Sequence, residues 1–381
     1  MIGRPGIIRL LLSVVAWISL GLTTALPAGT ACQGESCRIL VVGDMGIGDD
    51  AFTAGFLAVQ QAMIQEAPDL VLYLGDYIYT KDVCTGNTPA GDMPPYIAEV
   101  RDKLVVPFQG NVVLSRGDND APEGDSDWAK AANTCWQMIA SLGAPLVKPP
   151  GARDWEGVTE DLPGVLIAVL DHDALAADKV EALAWLEEPV KRAKDARKWV
   201  LVLIHEPVVT TAWFEKPCCA TLKPLHDMGV DLVFSGHQHS FERTYPLGVT
   251  VPPNRIQPLP AAEHKLYQAG VYPAGRGVVY VVTGGGGAWL RPFADQQASP
   301  SSKVAPPYIQ HAVARRGIMN HYVRVDLEPH RLGVTTIRVC APGEARWKPD
   351  NASIWTGGSS MLACHGTSLG TSVFDHFELQ R

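Results

Sequence analysis

Five short apolar segments of this chain each end on an aspartate or a histidine, and this repeated ending constrains the fold more than any other feature. The segments have the length and composition of buried strands. In open α/β sheets, ligands gather beyond the carboxyl ends of the strands, so side chains that follow parallel strands meet at one edge. The endings therefore predict one shared site. They are Gly43-Asp44, Gly75-Asp76, Gly117-Asp118, Ile204-His205 and Gly236-His237, the last followed by His239.

Segments with helical patterns, such as Phe52–Glu66 and Lys179–Lys194, lie between these strands. They are about as long as the crossover between two parallel strands requires. This alternation predicts the α/β class. Towards the C-terminus, the pattern predicts a hairpin of His321–Leu327 with Leu332–Val339 and a final strand at Val373–Leu379, which should complete a second sheet.

Any one of these endings has an ordinary structural explanation. An aspartate after a strand is typical of a turn or a helix N-cap, and a lone histidine is typical of a hydrogen-bonded loop. Five such endings in one chain favour a metal site, because carboxylates and imidazoles are the ligands that hard and borderline cations prefer. His237 and His239, at positions i and i+2 of an extended segment, project from one side and can face two adjacent metals.

The order of these blocks resembles the calcineurin-like metallophosphoesterases and, more narrowly, the purple acid phosphatases. Those enzymes carry the blocks GDxG, GDxxY, GNHD or GNHE, a strand-end histidine, and GHxH. This chain reads Gly43-Asp-Met-Gly46, Gly75-Asp-Tyr-Ile-Tyr79, Gly117-Asp-Asn-Asp120, His205 and Gly236-His-Gln-His239. The resemblance implies an α/β fold, the four-layer αββα metallophosphoesterase sandwich of two mixed sheets flanked by helices.

The resemblance also implies a dinuclear metal centre. Asp44, Asp76, Tyr79 and His239 would hold Fe(3+), with Tyr79 as the tyrosinate ligand that distinguishes purple acid phosphatases. Asp76 would bridge to a divalent ion, Zn, Fe or Mn, that also takes Asp118, His205 and His237. The function implied is a secreted metal-dependent phosphatase that hydrolyses small phosphate monoesters with a metal-bound hydroxide.

The third block departs from the family pattern. The family has an Asn ligand followed by a catalytic His, whereas this chain has Asp118 and Asn119. In an alternative register, Asn119 is the ligand and Asp120 takes the place of the His, but the spacing after Gly117 favours Asp118. Losing the His removes a general acid, an effect usually worth about 10²–10⁴-fold in rate. The chain is therefore expected to be slower or to prefer esters with good leaving groups.

His172 is a second candidate for proton donation. It lies in Leu170-Asp-His-Asp173, beyond another strand, and its position at a strand end is what supports the role. An ordinary loop histidine fits the same pattern.

Two alternatives to a phosphomonoesterase stay open. The first keeps the fold but acts on phosphodiesters or nucleotides. The second is a catalytically impaired phosphatase-like binding protein, with Asn119 as the sign of lost catalysis. Against the second, seven ligand positions still hold residues that can bind metal.

Composition and targeting signals complete the prediction. Arg4 and Arg9 precede an apolar run, so residues 1–31 are predicted to be a signal peptide or N-terminal anchor, and residues 32–381 a single catalytic domain. The predicted location is secreted or periplasmic, without stable membrane contact beyond the N-terminal segment. With 32 basic residues against 40 acidic ones, the chain is a poor candidate for binding nucleic acid.

The eight cysteines suit disulfides in an exported protein. Cys32–Cys37 and Cys340–Cys364 are plausible pairs because they are neighbours in the sequence. The sequence alone leaves the connectivity open.

Overall fold

The structure is a computed structural model in which two β-sheets pack face to face between layers of helices. Its strands are β1 (Cys37–Val42), β2 (Leu70–Tyr73), β3 (Val112–Leu114), β4 (Gly157–Val158), β5 (Val165–Val169), β6 (Trp199–Leu203), β7 (Leu232–Ser235), β8 (Phe241–Thr244), β9 (Leu247–Thr250), β10 (Arg255–Pro258), β11 (Val271–Pro273), β12 (Val279–Thr283), β13 (Val313–Gly317), β14 (His321–Leu327), β15 (Arg331–Cys340) and β16 (Gly370–Gln380). The structure describes residues 32, 36–48, 53–80, 93–120, 127–159, 161–172, 174, 180–207, 209–212, 222–250, 255–258, 269–291, 293–296, 304–305, 307–340 and 370–381.

The helices mostly connect strands of one sheet. The α-helices are α1 (Thr53–Gln65), α2 (Pro95–Val100), α3 (Asp127–Ala140), α4 (Glu187–Asp195), α5 (Leu222–Met228) and α6 (Pro307–Gln310). Shorter helical segments are the π-helix Arg101–Val105 and the 3₁₀-helices Val106–Phe108, Val180–Leu186 and Ala294–Gln296.

Both large sheets have seven strands and mix parallel with antiparallel pairs. The first sheet has the order β11-β16-β15-β14-β1-β2-β3, with β1, β2 and β3 parallel. The second has the order β13-β8-β12-β7-β6-β5-β4, with β5, β6, β7 and β12 parallel. Since these parallel strands carry the predicted ligands, both sheets contribute side chains to one edge.

Among the described residues, three large apolar cores hold the layers together. The largest lies between the two sheets and includes Val41, Leu72 and Leu203, all fully buried. A second packs α1 onto the first sheet through Phe56 and Val59, three residues apart and therefore on one helix face. A third covers the outer face of the second sheet. The predicted four-layer αββα sandwich is confirmed.

The sequence predicted most elements but not all their details. The hairpin of β14 with β15 and the final strand β16 are present. Since β14 pairs with β1, these strands extend the sheet of β1, β2 and β3 and do not form a sheet of their own. The predicted helix Lys179–Lys194 is a 3₁₀ segment followed by α4. Pro189, in the first turn of α4, has no backbone N–H and cannot donate the hydrogen bond that a continuous α-helix would need there.

Of the predicted disulfides, Cys32–Cys37 is formed. Cys135 and Cys340 are also disulfide-bonded. Cys364 and the predicted targeting segment 1–31 lie outside the described residues. Among the residues that are described, no helix is both long and apolar enough to span a bilayer.

Candidate metal centre

Three of the predicted ligands have left-handed backbone conformations. Asp44, Asp76 and His237 have φ values of 63°, 54° and 62°. This conformation costs a non-glycine residue about 1–2 kcal/mol, so the surrounding structure must hold it. The Asp44 N–H donates to the Gly75 carbonyl at 3.1 Å, and the Met45 N–H donates to the Asp76 carbonyl at 2.9 Å. These bonds fix the loops after β1 and β2 to each other.

Glycines let the loops approach more closely than any side chain would allow. A Cβ atom at Gly117 would lie 2.2 Å from Asp76 Oδ1, and one at Gly236 would lie 2.7 Å from Asp44 Oδ2. Both distances are shorter than real Cβ contacts, so any larger residue would push the carboxylates apart. The glycines before Asp118 and His237 are thus required by the packing of the site itself.

Asp44, Tyr79 and His239 form one half of the site, which we call the closed half. The Tyr79 hydroxyl lies 3.2 Å from Asp44 Oδ1 and 3.1 Å from His239 Nε2. His239 Nε2 is 3.3 Å from Asp44 Oδ1, and the two side chains are 3% and 0% exposed. One tyrosine from the first sheet and one histidine from the second therefore meet around a buried carboxylate.

Asp118, His205 and His237 form the other half, which we call the open half. Asp118 Oδ1 lies 2.9 Å from both His205 Nε2 and His237 Nδ1. The Asp118 and His237 side chains are 36% and 28% exposed, which is the basis of the name. The His205 side chain is fully buried.

Asp76 lies between the two halves. Its Oδ2 is 3.2 Å from the Tyr79 hydroxyl, and its Oδ1 is 3.3 Å from His205 Nε2. Candidate ligand atoms of Asp44, Asp76 and His205 all lie within 4.8 Å of one another, and the same holds for Asp118, His205 and His237. Two overlapping groups of oxygen and nitrogen donors fit two neighbouring cations.

Backbone carbonyls set which nitrogen two of the histidines present to the site. His205 Nδ1 is 2.7 Å from the Leu74 carbonyl, and His239 Nδ1 bonds the Trp289 carbonyl. A carbonyl accepts only N–H, so in each ring Nδ1 carries a proton. In the neutral ring Nε2 is then an acceptor facing the carboxylates, which is the arrangement that metal-binding histidines usually show. The donor set therefore fits metal ions.

The electrostatics of the site also favour cations. Burial raises the pKa of Tyr79 well above its usual value, and the nearby charges of Asp44 and Asp76 raise it further. Burial lowers the pKa of His205, but the charge of Asp76 and a hydrogen bond to Asp118 raise it well above its usual value. The carboxylates thus draw positive charge to the site, and bound cations would supply the same compensation.

Asn119 contacts the central carboxylate. Its backbone N–H donates to Asp76 Oδ1 at 2.9 Å, and its side-chain Nδ2 donates to Asp76 Oδ2 at 2.6 Å. The structure therefore brings Asp118, and not Asn119, to the two histidines of the open half. Asn119 orients Asp76 from the side.

Asp120, the other residue of the alternative register, is turned into the protein. Its carboxylate accepts the backbone N–H groups of Asp76 at 2.8 Å, Tyr77 at 3.0 Å and Gly117 at 2.9 Å. Burial, together with the charge of Asp76, raises the pKa of Asp120 to about 7. Asp120 ties the loop after β3 to the loop after β2 and is not positioned as a proton donor to a substrate.

His172 lies in the loop after β5, next to the loop that carries His205. Its carbonyl accepts the Glu206 N–H at 3.2 Å. The residue is 5% exposed, and its buried Nδ1 has no hydrogen-bond partner in the described part of the chain. The preceding Asp171 forms a bidentate ion pair with Arg116, at 2.8 and 2.7 Å, which joins this loop to the one before Asp118.

The sequence matches one protein-family model over the part that carries the candidate site. The model of the calcineurin-like phosphoesterases matches residues 37–241, more than half of the sequence and all the predicted ligands. The chain belongs to this family. Members of this family use a dinuclear metal centre, the kind of centre that the sequence predicted.

Two uncharacterized proteins from two strains of Mycobacterium tuberculosis are 30% identical to this phosphoesterase over 114 residues. The matched part covers 28% of the chain and 21% of each relative. The chain therefore aligns with about a fifth of the length of these relatives.

Two solved structures share the fold of this phosphoesterase. A purple acid phosphatase from yellow lupin (Lupinus luteus) seeds has a TM-score of 0.56 at 17% identity, with 92% of this chain and 54% of that chain covered. PhoD has a TM-score of 0.55 at 13% identity, with 93% of this chain and 71% of that chain covered. At such low sequence identities the similarity concerns the fold alone, and it agrees with the layers described above.

Sequence reasoning about this phosphoesterase missed several residues that support the site. The Leu74 and Trp289 carbonyls orient histidines, and backbone groups carry no sequence signal. Asp120 was considered only in a shifted register, although three acidic or amide side chains in succession after Gly117 mark a loop with several hydrogen-bonding roles.

Proposed function

We propose that this phosphoesterase is an exported phosphomonoesterase of the purple acid phosphatase type, with Fe(3+) in the closed half and a divalent ion in the open half. The single observation that carries the proposal is the convergence of residues from five separate strand ends. Five of the seven predicted ligands form two overlapping groups of donors, and the other two, Tyr79 and His239, lie within 3.3 Å of Asp44. A tyrosine in the closed half and two histidines in the open half match the different ligand preferences of a ferric and a divalent ion.

The roles of the residues follow from their contacts. Tyr79, Asp44 and His239 would hold one ion, and Asp118, His205 and His237 the other, with Asp76 shared. When bound, the ions would neutralise charge on a phosphoryl group and activate water. The carbonyls of Leu74 and Trp289 keep two imidazoles in the required tautomer.

Asn119 supports a preference for esters with good leaving groups. An amide does not donate a proton as a general acid, and both N–H groups described above are already bonded to Asp76. Esters of acidic alcohols or phenols need less proton transfer than alkyl esters, so they would be hydrolysed best. His172 stays a candidate proton donor, and its support is its position at a strand end beside the loop of His205.

The proposal is tested on purified protein by metal analysis, visible absorption and hydrolysis of two esters. We expect two metal ions per chain, a visible band from iron bound to Tyr79, and faster hydrolysis of 4-nitrophenyl phosphate than of its bis ester. The variant His205→Ala should lose activity, while His226→Ala, which removes a partly exposed histidine of α5, should keep it. Preference for the bis ester would favour the phosphodiesterase alternative. Metal binding without hydrolysis of either ester would favour the binding protein.

Export is the second part of the proposal. It rests on the predicted signal peptide, residues 1–31, and on the Cys32–Cys37 disulfide, which suits an oxidising compartment. Expression of the full chain, followed by N-terminal sequencing of the protein found outside the cytoplasm, tests it. A protein that keeps residues 1–31 in the cytoplasm would contradict export.

A further inference from the structure

The segment Ala288–Arg291 lies directly against the closed half. The Ala288 N–H donates to the Asp44 carbonyl at 3.0 Å, and the Arg291 N–H donates to the His239 carbonyl at 3.2 Å. The Trp289 carbonyl accepts the Nδ1–H of His239. Three of these four consecutive residues are therefore bonded to two predicted ligands, so this segment forms part of the wall of the site.

Its side chains alternate between solvent and the interior. Leu290 is buried in a small apolar cluster with Phe293 and Ile318, which anchors the segment. Trp289, in contrast, is 55% exposed, and Arg291 is also exposed. Ala288 is buried like Leu290, so the buried and exposed side chains alternate, and both the indole and the guanidinium face solvent.

Arg291 is a free positive charge close to the site. It has no carboxylate partner among the residues that the structure describes, whereas Arg116, near the open half, is paired with Asp171. The Arg291 N–H bonds the His239 carbonyl, so its exposed side chain extends from the wall of the closed half. It can attract a phosphate ester, and the guanidinium geometry suits phosphate oxygens.

Trp289 can hold the other end of such an ester. An exposed indole fixed by its backbone to the wall of a site offers a flat surface for an aromatic ring, and stacking on such a ring is a strong and tolerant contact. Asn119, which cannot act as a general acid, also favours esters of phenols. A phenol, like a tyrosine side chain, has a pKa of about 10, far below that of an aliphatic alcohol, and leaves without a general acid more readily.

We propose that Trp289 and Arg291 select aryl phosphate monoesters, with the aromatic ring of the leaving group stacked on Trp289 and the phosphate attracted by Arg291. Two independent observations lead to this proposal: the exposed Trp289 and Arg291 at the wall of the closed half, and Asn119 where the related enzymes have a general acid. The inference deepens the proposed function and rests on it.

Binding measurements test the inference apart from catalysis. The metal-loaded protein is titrated by calorimetry with phenylphosphonate and with methylphosphonate, which share the phosphonate group and differ in the ring. We expect phenylphosphonate to bind about tenfold more tightly, which is within the range of stacking on one aromatic side chain. Trp289→Ala should abolish this difference and Trp289→Phe should keep most of it.

Arg291→Gln should weaken the binding of both phosphonates by a similar factor, about three- to tenfold, because it removes a charge that both probes meet. The control is Ile64→Ala, which truncates another exposed apolar side chain near the end of α1, at the opposite edge of the first sheet from the site. It should change neither affinity.

Two results would overturn the inference: equal binding of the two phosphonates to the natural protein, or a ring preference that survives in Trp289→Ala. Kinetics with 4-nitrophenyl phosphate and glycerol phosphate separate this failure from a failure of the proposed function. Hydrolysis of both esters at rates that Trp289→Ala changes equally would remove the inference and leave the phosphomonoesterase. Hydrolysis of neither ester would remove the proposed function, while the phosphonate titration would still report on Trp289.

Discussion

The two halves of the candidate metal centre are built from similar residues but differ in their access to solvent. In the closed half, the Asp44 and His239 side chains are almost fully buried and the residues are bonded to the segment around Trp289. In the open half, about a third of Asp118 and of His237 is exposed. The difference indicates that the closed half is the more rigid ion site, while the open half is where a substrate and an exchangeable ion would enter.

The largest effect on both halves is expected from Asp76→Ala, since Asp76 contacts residues of both halves. We expect turnover to fall by more than about 100-fold, because losing only an outer partner of a metal ligand already costs about 10- to 100-fold. Metal content should fall in both halves, as measured by elemental analysis. A variant that keeps two ions and normal turnover would show that Asp76 is not shared.

Asn119→His should act mainly on proton transfer to the leaving group, although the residue at this position bonds Asp76, which both halves share. A histidine there would supply the missing general acid, and turnover of alkyl phosphates should rise by about 10²-fold, with a smaller rise for 4-nitrophenyl phosphate. The comparison uses steady-state kinetics on both esters, with Asn119→Gln as the control that keeps an amide. Equal turnover of alkyl esters before and after the change would contradict this account.

Asp120→Asn should loosen both halves to a smaller degree. An asparagine has only one oxygen for the three backbone N–H groups that Asp120 accepts, so at least one buried N–H loses its partner. We expect a loss of about 1–3 kcal/mol in the free energy of unfolding and a 10- to 100-fold weaker metal affinity. Urea denaturation and metal titration measure the two effects. A normal metal affinity would show that the ligand loops keep their positions without Asp120.

A chelator should remove the metal ions from the two halves at different rates. With a chelator, the ion of the more exposed open half should leave several times faster than the ion of the closed half, because water and chelator reach Asp118 and His237 first. Tyr79→Phe should remove the visible band and leave the ion of the open half in place. Loss of both ions at one rate would show that the two halves open together.

Much of the fold could be predicted from the sequence because it depends on local patterns. The apolar segments before Asp44, Asp76 and His205 are strands, and Thr53–Gln65 is a helix with its apolar face on the first sheet. The helical stretch predicted at Lys179–Lys194 is present as a 3₁₀ segment followed by α4, two geometries that the residue pattern did not distinguish.

The sequence by itself determined which residues can bind metal and in which order the strands present them, since side-chain chemistry and the position of a glycine before each ligand are local properties. The spacing after Gly117 favoured Asp118 as the ligand, but only the tertiary structure showed that Asp118 meets the histidines while Asn119 and Asp120 do not, because the loop backbone sets the direction of each side chain. It also decided that Trp289 and Arg291 border the closed half. That juxtaposition joins residues far apart in the chain through backbone hydrogen bonds, which no residue pattern encodes.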